Sequence, residues 1–473
     1  MAKSGPRVAI VGAGPAGAFA VAGLWRVCGD AEVDLLERLP TPWGLLRGGV
    51  APDHQEIKRL ADTFDRATLM RGCRLFGNVE VGMDISHDEL MQHYSAVIYA
   101  TGAQTDKSLG IPGEALPGSW AATEFVAWYN GHPDYRGLEF DLSQRRAVVI
   151  GNGNVAVDVT RILTLSPEEL QRTDIADHAL EALWQSRIEE VVVLGRRGPA
   201  QAAFTSSELR ELGQLNGVEL RVDPQEIELD PISRSWLEQE GTFTACKNVE
   251  LLREFATERK RTDAPRRIVL RFLRSPVEIR GNGRVEAVDV RRNEIVRAGD
   301  GSLRPRPVVE RPETVRCGLV LRSVGYRALP VPGVPFDERS FVLPNDRGRV
   351  LGPDGEPMPG VYTVGWIKRG PTGILGTNKR DAEETVRCFA EDLAAGRLPA
   401  PRYPDPAQIE VLLAERKPDL VTVEGWRAID AHELERGSRE RRPRVKLSSR
   451  AELLAAVGAA SPPPPVSSGR QPS

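Results

Sequence analysis

What the chain lacks narrows its class first. No stretch of its 473 residues approaches the ~18 uninterrupted apolar residues that a membrane-spanning helix requires. The N-terminal apolar run, inside MAKSGPRVAIVGAG, is too short for a secretory signal and already holds a glycine motif. Cysteine pairs are missing too. Cys28, Cys73, Cys246, Cys317 and Cys388 lie far apart, and none stands in CxxC spacing. That excludes a zinc ribbon, an iron–sulfur cluster and a redox-active dithiol, and scattered thiols fit a reducing, cytoplasmic setting. Charge of one sign is also lacking. A net charge of −3 gives no global reason to bind nucleic acid or membrane, so any electrostatic docking must come from local patches. What remains is a soluble chain with 41% hydrophobic and 27% charged residues, long enough for two or three domains without disulfides or a structural metal.

The chain opens with a buried strand at Arg7–Val11, a glycine-rich turn, an Ala-rich helix to about Val27, and a second strand over Ala31–Glu37. This is a βαβ unit, the module of a parallel sheet. A second unit starts at Arg146–Ile150, continues through GNGNVAVDVTRIL and reaches the strand VVVLG at Val191–Gly195. SAVIYATGAQ (Ser95–Gln104), LVLRSVG (Leu319–Gly325) and GVYTVG (Gly360–Gly365) read as further short strands ending in glycine turns. Residues 223–315 show more charge and an alternating β pattern, with turns at Gly281–Gly283 and Gly299–Gly301. The last stretch, Ser461–Ser473, is too rich in Pro and Ser to bury a core and is expected to be disordered.

The two units carry different chemistry. Gly12, Gly14 and Gly17, with Pro15 and Ala16 between them, form GAGPAG between a strand and a helix. The first glycine makes the turn, the second admits a pyrophosphate to the backbone, and the third packs helix on sheet. Glu37, 20 residues after Gly17, ends the next strand, where a carboxylate can accept bonds from a ribose diol. The second motif is Gly151, Gly153 and Ala156, and its later strand ends in Arg196 and Arg197 instead of an acid. Two guanidiniums suit a phosphate, so this site should prefer the 2′-phosphate of NADP. One nicotinamide does not usefully reduce another, whereas a flavin takes a hydride and releases electrons singly, so the first site is assigned to FAD.

Together with PTPWGLLRGGVAPDH (Pro40–His54), GRRGPAQAAFTSSELREL (Gly195–Leu212) and VGWIKRGPTGILGTNK (Val364–Lys379), these motifs resemble the adrenodoxin reductase family of ferredoxin–NADP reductases from about Arg7 to Val457. Gly365–Trp366 is a family mark, because flavoproteins of the disulfide reductase type usually have Gly-Asp there. The resemblance implies an α/β fold of two Rossmann-like domains. The FAD domain would comprise residues 1–108 and 330–460, with an NADP domain, 109–329, inserted and a tail at 461–473. It implies hydride passing from NADPH to FAD and single electrons to a ferredoxin, with a cytochrome P450 system as one terminal acceptor.

By the same resemblance, Glu37, Leu45 and Val81 hold FAD, while Trp366, Gly373, Ile374 and Leu375 lie beside its ring. Gly153, Asn154 and Val155 cradle the NADPH pyrophosphate, and Arg196 and Arg197 take its 2′-phosphate. Glu208 and Gly373 face its nicotinamide end, and His54 and Glu211 form the family pair where the two rings meet. Read without the motif, Glu208 and Glu211 are solvated charges on one helix face, and Trp366 is a core aromatic. An acidic ferredoxin calls for a basic surface. Arg253–Arg274 holds eight Arg or Lys against three acids, and Arg436–Arg450 holds seven against one. The first run is the expected docking segment, on a protein expected to be a monomer. A disulfide reductase would need the missing cysteine pair, and a glutamate-synthase-type subunit would need upstream cysteine clusters. Two readings stay open: a diaphorase or oxidase with another acceptor, and a nicotinamide-binding redox sensor without turnover.

Overall fold

The computed structural model describes residues 5–257, 264–373 and 375–460. Strands buried on both faces read as continuous apolar runs, and the two units show why. In RVAIV, Val8 and Ile10 face one core layer while Ala9 and Val11 face another. In RAVVI, Ala147 and Val149 alternate in the same way with Val148 and Ile150.

Seven strands form the first sheet, in the spatial order Asn345–Asp346, Arg349–Leu351, Pro357–Thr363, Ala96–Tyr99, Arg7–Val11, Glu32–Glu37 and Arg74–Gly77. The last five are parallel, and the first two add antiparallel turns at the edge. The second sheet is parallel throughout: Ser119–Ala121, Leu319–Arg322, Arg146–Ile150, Glu190–Leu194, Arg266–Arg271 and Val218–Val222. Between them lies a two-stranded ribbon in which Thr105–Asp106 runs antiparallel to Tyr326–Arg327. The chain therefore leaves the first sheet after Tyr99, crosses one side of the ribbon, builds the second sheet, and returns along the other side. The strand Pro357–Thr363 then docks beside Ala96–Tyr99.

The stretch 223–315 is less β-rich than its alternation implied. It opens with helices at Pro231–Gln239 and Phe243–Thr257 before an antiparallel sheet of Arg274–Arg280, Ala287–Arg297, Leu303–Pro307 and Glu313–Arg316. The first of these helices has a local cause. Asp230 caps it by accepting the Ser233 N–H, and Pro231 pre-sets the first turn. Among the described residues no helix is long and apolar enough to cross a membrane, and all five cysteines are free. The tail Ser461–Ser473 lies outside the described residues.

Candidate active site between two glycine cradles

In the first cradle, the N–H of Gly12 donates to the Leu36 carbonyl, and the residue turns with φ +108°. A β-carbon there would lie 2.5 Å from the Ala100 carbonyl oxygen, so only glycine fits. Gly14 precedes the helix Pro15–Val27, whose first turn leaves backbone N–H groups without helical partners. Gly17 packs so close to the loop that a β-carbon would meet the Gly12 carbonyl oxygen at 2.2 Å. Glu37 accepts from the N–H groups of Ala13 and Leu39, both at 3.0 Å. Burial raises its pKa, against the lowering effect of those two donors. A second loop closes over this cradle. Buried Trp43 donates its N–H to the Ala13 carbonyl, and Gly44 stands against Gly14. From the far end of the chain Gly365 abuts Ala16, which brings the half-buried Trp366 to the same place. The indole Nε1 of Trp366 is buried and has no hydrogen-bond partner among the described residues. The 20-residue helix Leu375–Ala394 packs along the cradle helix, where Val386 meets Gly23. Leu45 is exposed and Val81 half-buried. Gly373 is exposed with φ +80°, and Ile374 lies outside the described residues.

The second cradle repeats the geometry in another sheet. Gly151 turns with φ +126°, and a β-carbon there would lie 2.1 Å from the Ser323 carbonyl oxygen. Gly153 precedes the helix Asn154–Thr164, with open space where its side chain would be. Asn154 is partly spent on local structure, since its Oδ1 accepts the Thr205 N–H at 2.8 Å. Val155 is half-buried. The Nδ2 of Asn152 is buried and unpartnered. Beyond the next strand, Arg196 and Arg197 are both exposed, and neither guanidinium has a hydrogen bond or ion pair among the described residues. Partial burial and then the neighbouring Arg196 charge lower the pKa of Arg197. Two adjacent, unneutralised cations of this kind fit a phosphate dianion.

Between the cradles the chain gathers charge. His54 Nε2 lies 3.0 Å from Glu211 Oε2, and its Nδ1 lies 3.9 Å from Asp158 Oδ1. Glu208 and Glu211 share one face of the helix Ser206–Gly213, which Thr205 caps. Arg161, from the inner face of the second cradle's helix, is fully buried beneath them. It pairs in bidentate fashion with Asp53 at 2.8 and 2.9 Å, with Glu208 at 2.8 Å and with Asp158 at 3.0 Å. Burial and then the charge of Asp158 push the Glu208 carboxyl up to about 6. Burial likewise raises Asp158. At Asp53 burial acts upward, but the Arg161 bonds and charge together with His54 hold the group below its ordinary value. His54, Glu208 and Glu211 offer ligand atoms within 4.8 Å of one another, a spacing a metal could use. Arg161 already supplies positive charge to both carboxylates, at 2.8 Å from Glu208 and 3.6 Å from Glu211.

The sequence reading brought out His54, Glu208 and Glu211 but missed Asp53, Asp158, Arg161 and Tyr326. Tyr326, on the ribbon, has its ring centroid 5.1 Å from that of Trp366. The one available signal was Asp158 and Arg161, three apart on the helix after GNGNVA.

In the second basic run, Arg436–Arg450, Arg439 and Arg441 are exposed, while Arg442 and Lys446 are buried. Arg442 donates to the Thr173 carbonyl and pairs with Asp177, Lys446 pairs with buried Asp174, and Arg444 reaches Asp430 and Glu433. In Arg253–Arg274, Arg253 is exposed, while Arg267, Arg271 and Arg274 pair with Glu190, Glu219, Glu226 or Glu313. Arg266 donates to the Thr164 carbonyl, and Arg259, Lys260 and Arg261 lie outside the described residues.

Residues 6–221 match the family model described as pyridine nucleotide-disulphide oxidoreductase. The NADPH-ferredoxin reductase FprA of Mycobacterium tuberculosis H37Rv is 50% identical over 457 residues, which is 94% of this chain and 98% of that protein. The mitochondrial NADPH:adrenodoxin oxidoreductase of Arabidopsis thaliana is 41% identical over 463 residues, covering 95% of each. The solved structure of M. tuberculosis FprA in complex with NADPH superposes with a TM-score of 0.90 at 48% identity. It covers 96% of this chain and 99% of that one.

Proposed function

The chain belongs to the NADPH–ferredoxin reductase family, and from that premise we propose how its two cradles divide the reaction. It is a flavoprotein oxidoreductase that takes a hydride from NADPH and delivers electrons to a ferredoxin. FAD at the first cradle supplies the conversion from a two-electron donor to a one-electron acceptor. Three features favour that placement: a glycine turn no side chain can fill, the unpartnered Trp366 Nε1, and Glu37 at the end of the second strand.

The resemblance and the two cradles support the following residue roles. Gly12, Gly14, Pro15, Ala16 and Gly17 leave room and backbone donors for a pyrophosphate, and Glu37 accepts from the adenosine ribose. Leu45 and Val81 flank the same ligand. Trp366, Gly373 and Leu375 shape the ring end, with Ile374 assigned by sequence alone. Gly153, Asn154 and Val155 hold the NADPH pyrophosphate, and Arg196 and Arg197 bind the 2′-phosphate. Glu208 fixes the nicotinamide end. His54 and Glu211 meet from opposite sides of the junction and orient the donor against the acceptor, chiefly a proximity effect. No strong acid or base is needed for hydride transfer, so their loss should slow turnover without abolishing it.

The proposed division of the chain is an FAD domain of 1–108 and 330–460 with an NADP domain of 109–329 between. The proposed docking segment for an acidic ferredoxin remains Arg253–Arg274, centred on its exposed Arg253 end. A monomer working in the cytoplasm completes the reading.

The observation that carries the cofactor preference is the exposed Arg196–Arg197 step, unpaired among the described residues. Purified protein should be yellow, and anaerobic stopped-flow mixing should bleach its flavin bands at far lower NADPH than NADH. Added ferredoxin should then be reduced, more slowly as salt rises. A colourless protein that does not take up FAD overturns the function. A yellow protein that prefers NADH overturns the role of the two arginines.

A further inference from the structure

Arg161 is the most heavily engaged charge at the junction. Its side chain is 2% exposed, it faces four carboxylates, and those carboxylates come from three separate pieces of chain. Asp53 precedes His54 in the segment between Glu32–Glu37 and Arg74–Gly77, which belong to the first sheet. Asp158 lies one turn back on Arg161's own helix. Glu208 and Glu211 come from the capped helix that follows Arg196–Arg197. We propose that Arg161 is the positioning residue of the nicotinamide–flavin junction. It ties the Asp53–His54 segment to Glu208 and Glu211, and so sets the register of the His54–Glu211 pair. The inference rests on that pair standing where the two rings meet.

The geometry favours this role over simple adhesion between the two halves. A guanidinium presents its donors in a rigid plane, and here one edge is fixed in bidentate fashion by Asp53. The remaining Nη1 is then aimed at Glu208, 2.8 Å away, with Glu211 at 3.6 Å. A shift of the guanidinium moves both glutamates, and with Glu211 the partner of His54. Other groups facing the cluster do not replace it. Among the described residues the buried Tyr129 hydroxyl has no hydrogen-bond partner, and burial raises both its pKa and that of Tyr326. Both therefore stay neutral beside Asp158, and among the described residues His54 is the other group ion-paired with these carboxylates that can carry positive charge. Without Arg161, four carboxylates would share that imidazole alone, and the proton equilibria of the site would change along with its geometry.

The test uses the full-length, FAD-loaded protein as wild type, R161K and R161Q. Flavin reduction at saturating NADPH is followed by stopped flow from pH 5 to 9. R161K keeps the charge but loses the planar fork. Its rate should fall about tenfold, with the acid limb of the pH profile unmoved. R161Q loses both. Its rate should fall about 100-fold, and its acid limb should move to higher pH by about one unit or more. Rates within twofold of wild type in both variants, with the limb unmoved, overturn the proposal. So does failure of both variants to hold FAD, which would make the residue purely structural. If R161Q alone fails to hold FAD, R161K decides: a tenfold loss supports positioning, and a wild-type rate overturns it. Should wild-type flavin not be reduced by NADPH at all, the functional reading itself falls, independently of either variant.

Discussion

The two cradles are the same device finished in two ways. In each, the first glycine turns with positive φ into space closed by the carbonyl that follows the neighbouring strand: Ala100 for Gly12 and Ser323 for Gly151. They differ in what surrounds that turn. The first is roofed by Trp43–Gly44, flanked by Gly365–Trp366, and ends in a carboxylate already bonded to backbone N–H groups. The second is open around Gly153 and ends in two exposed guanidiniums that have no partner among the described residues. A roofed site suits a cofactor that stays, and an open site with unneutralised charge suits one that must enter and leave. Under the proposed assignment, the same local motif serves retention or exchange, depending on what the rest of the chain places over it.

The largest effect should come from filling the turns. Gly12→Ala forces an L residue into the left-handed region, roughly 1–2 kcal/mol, and sets its β-carbon 2.5 Å from a carbonyl oxygen. It should yield protein without bound FAD, seen as loss of the visible flavin spectrum. Gly151→Ala should stay yellow and lose NADPH reduction by more than about 100-fold in stopped flow. If both variants keep their flavin and reduce normally, the cradles are not the binding sites.

Next in size is the phosphate step. If Arg196 and Arg197 bind the 2′-phosphate as proposed, replacing both by Gln removes two charge-assisted contacts of about 1.5–3 kcal/mol each. The KM for NADPH should rise about 100-fold or more, while that for NADH moves little. An equal rise for both nucleotides would assign the arginines to general charge steering.

The third glycine separates the cradles more gently. Gly17→Ala inserts a methyl 2.2 Å from the Gly12 carbonyl oxygen and should cost about 1–3 kcal/mol or more. Ala156→Gly should cost about 1 kcal/mol, since that position already holds a buried β-carbon. Thermal unfolding reads both, and equal shifts would show that the two helices approach their loops alike.

The smallest effect is a pH dependence confined to the junction. The Glu208 carboxyl is raised from 4.5 to about 6 by burial and then by Asp158. The folded state therefore binds this proton more readily than the unfolded chain, so the group's contribution to stability declines as pH rises through that window. Glu208→Gln should flatten the limb near pH 6 in kcat/KM for NADPH. A limb that survives unchanged belongs to another group.

The local parts of this design were legible in the sequence. Strand, glycines, helix and terminal residue lie within about 30 residues in the first βαβ unit, a range the motif itself encodes. The charged junction was not. Arg161 meets Asp53 across 108 positions and Glu208 across 47, and no periodicity links such pairs. Nor does a charge run show in sequence which of its members face solvent. Arg436–Arg450 looks like a solvated patch as a string, yet Arg442 and Lys446 are buried against Asp177 and Asp174.

By itself the sequence determined two parallel-sheet units with glycine turns, one ending in an acid and the other in a pair of arginines. Backbone conformation and strand burial depend on near neighbours, so that much is written locally. Only the tertiary structure decided that Trp43–Gly44 roofs the first cradle and that Arg161 joins the Asp53–His54 segment to Glu208 and Glu211. Coulomb and hydrogen-bond energies depend on distance in space, and the chain brings those distances down to bonding range only once it has folded.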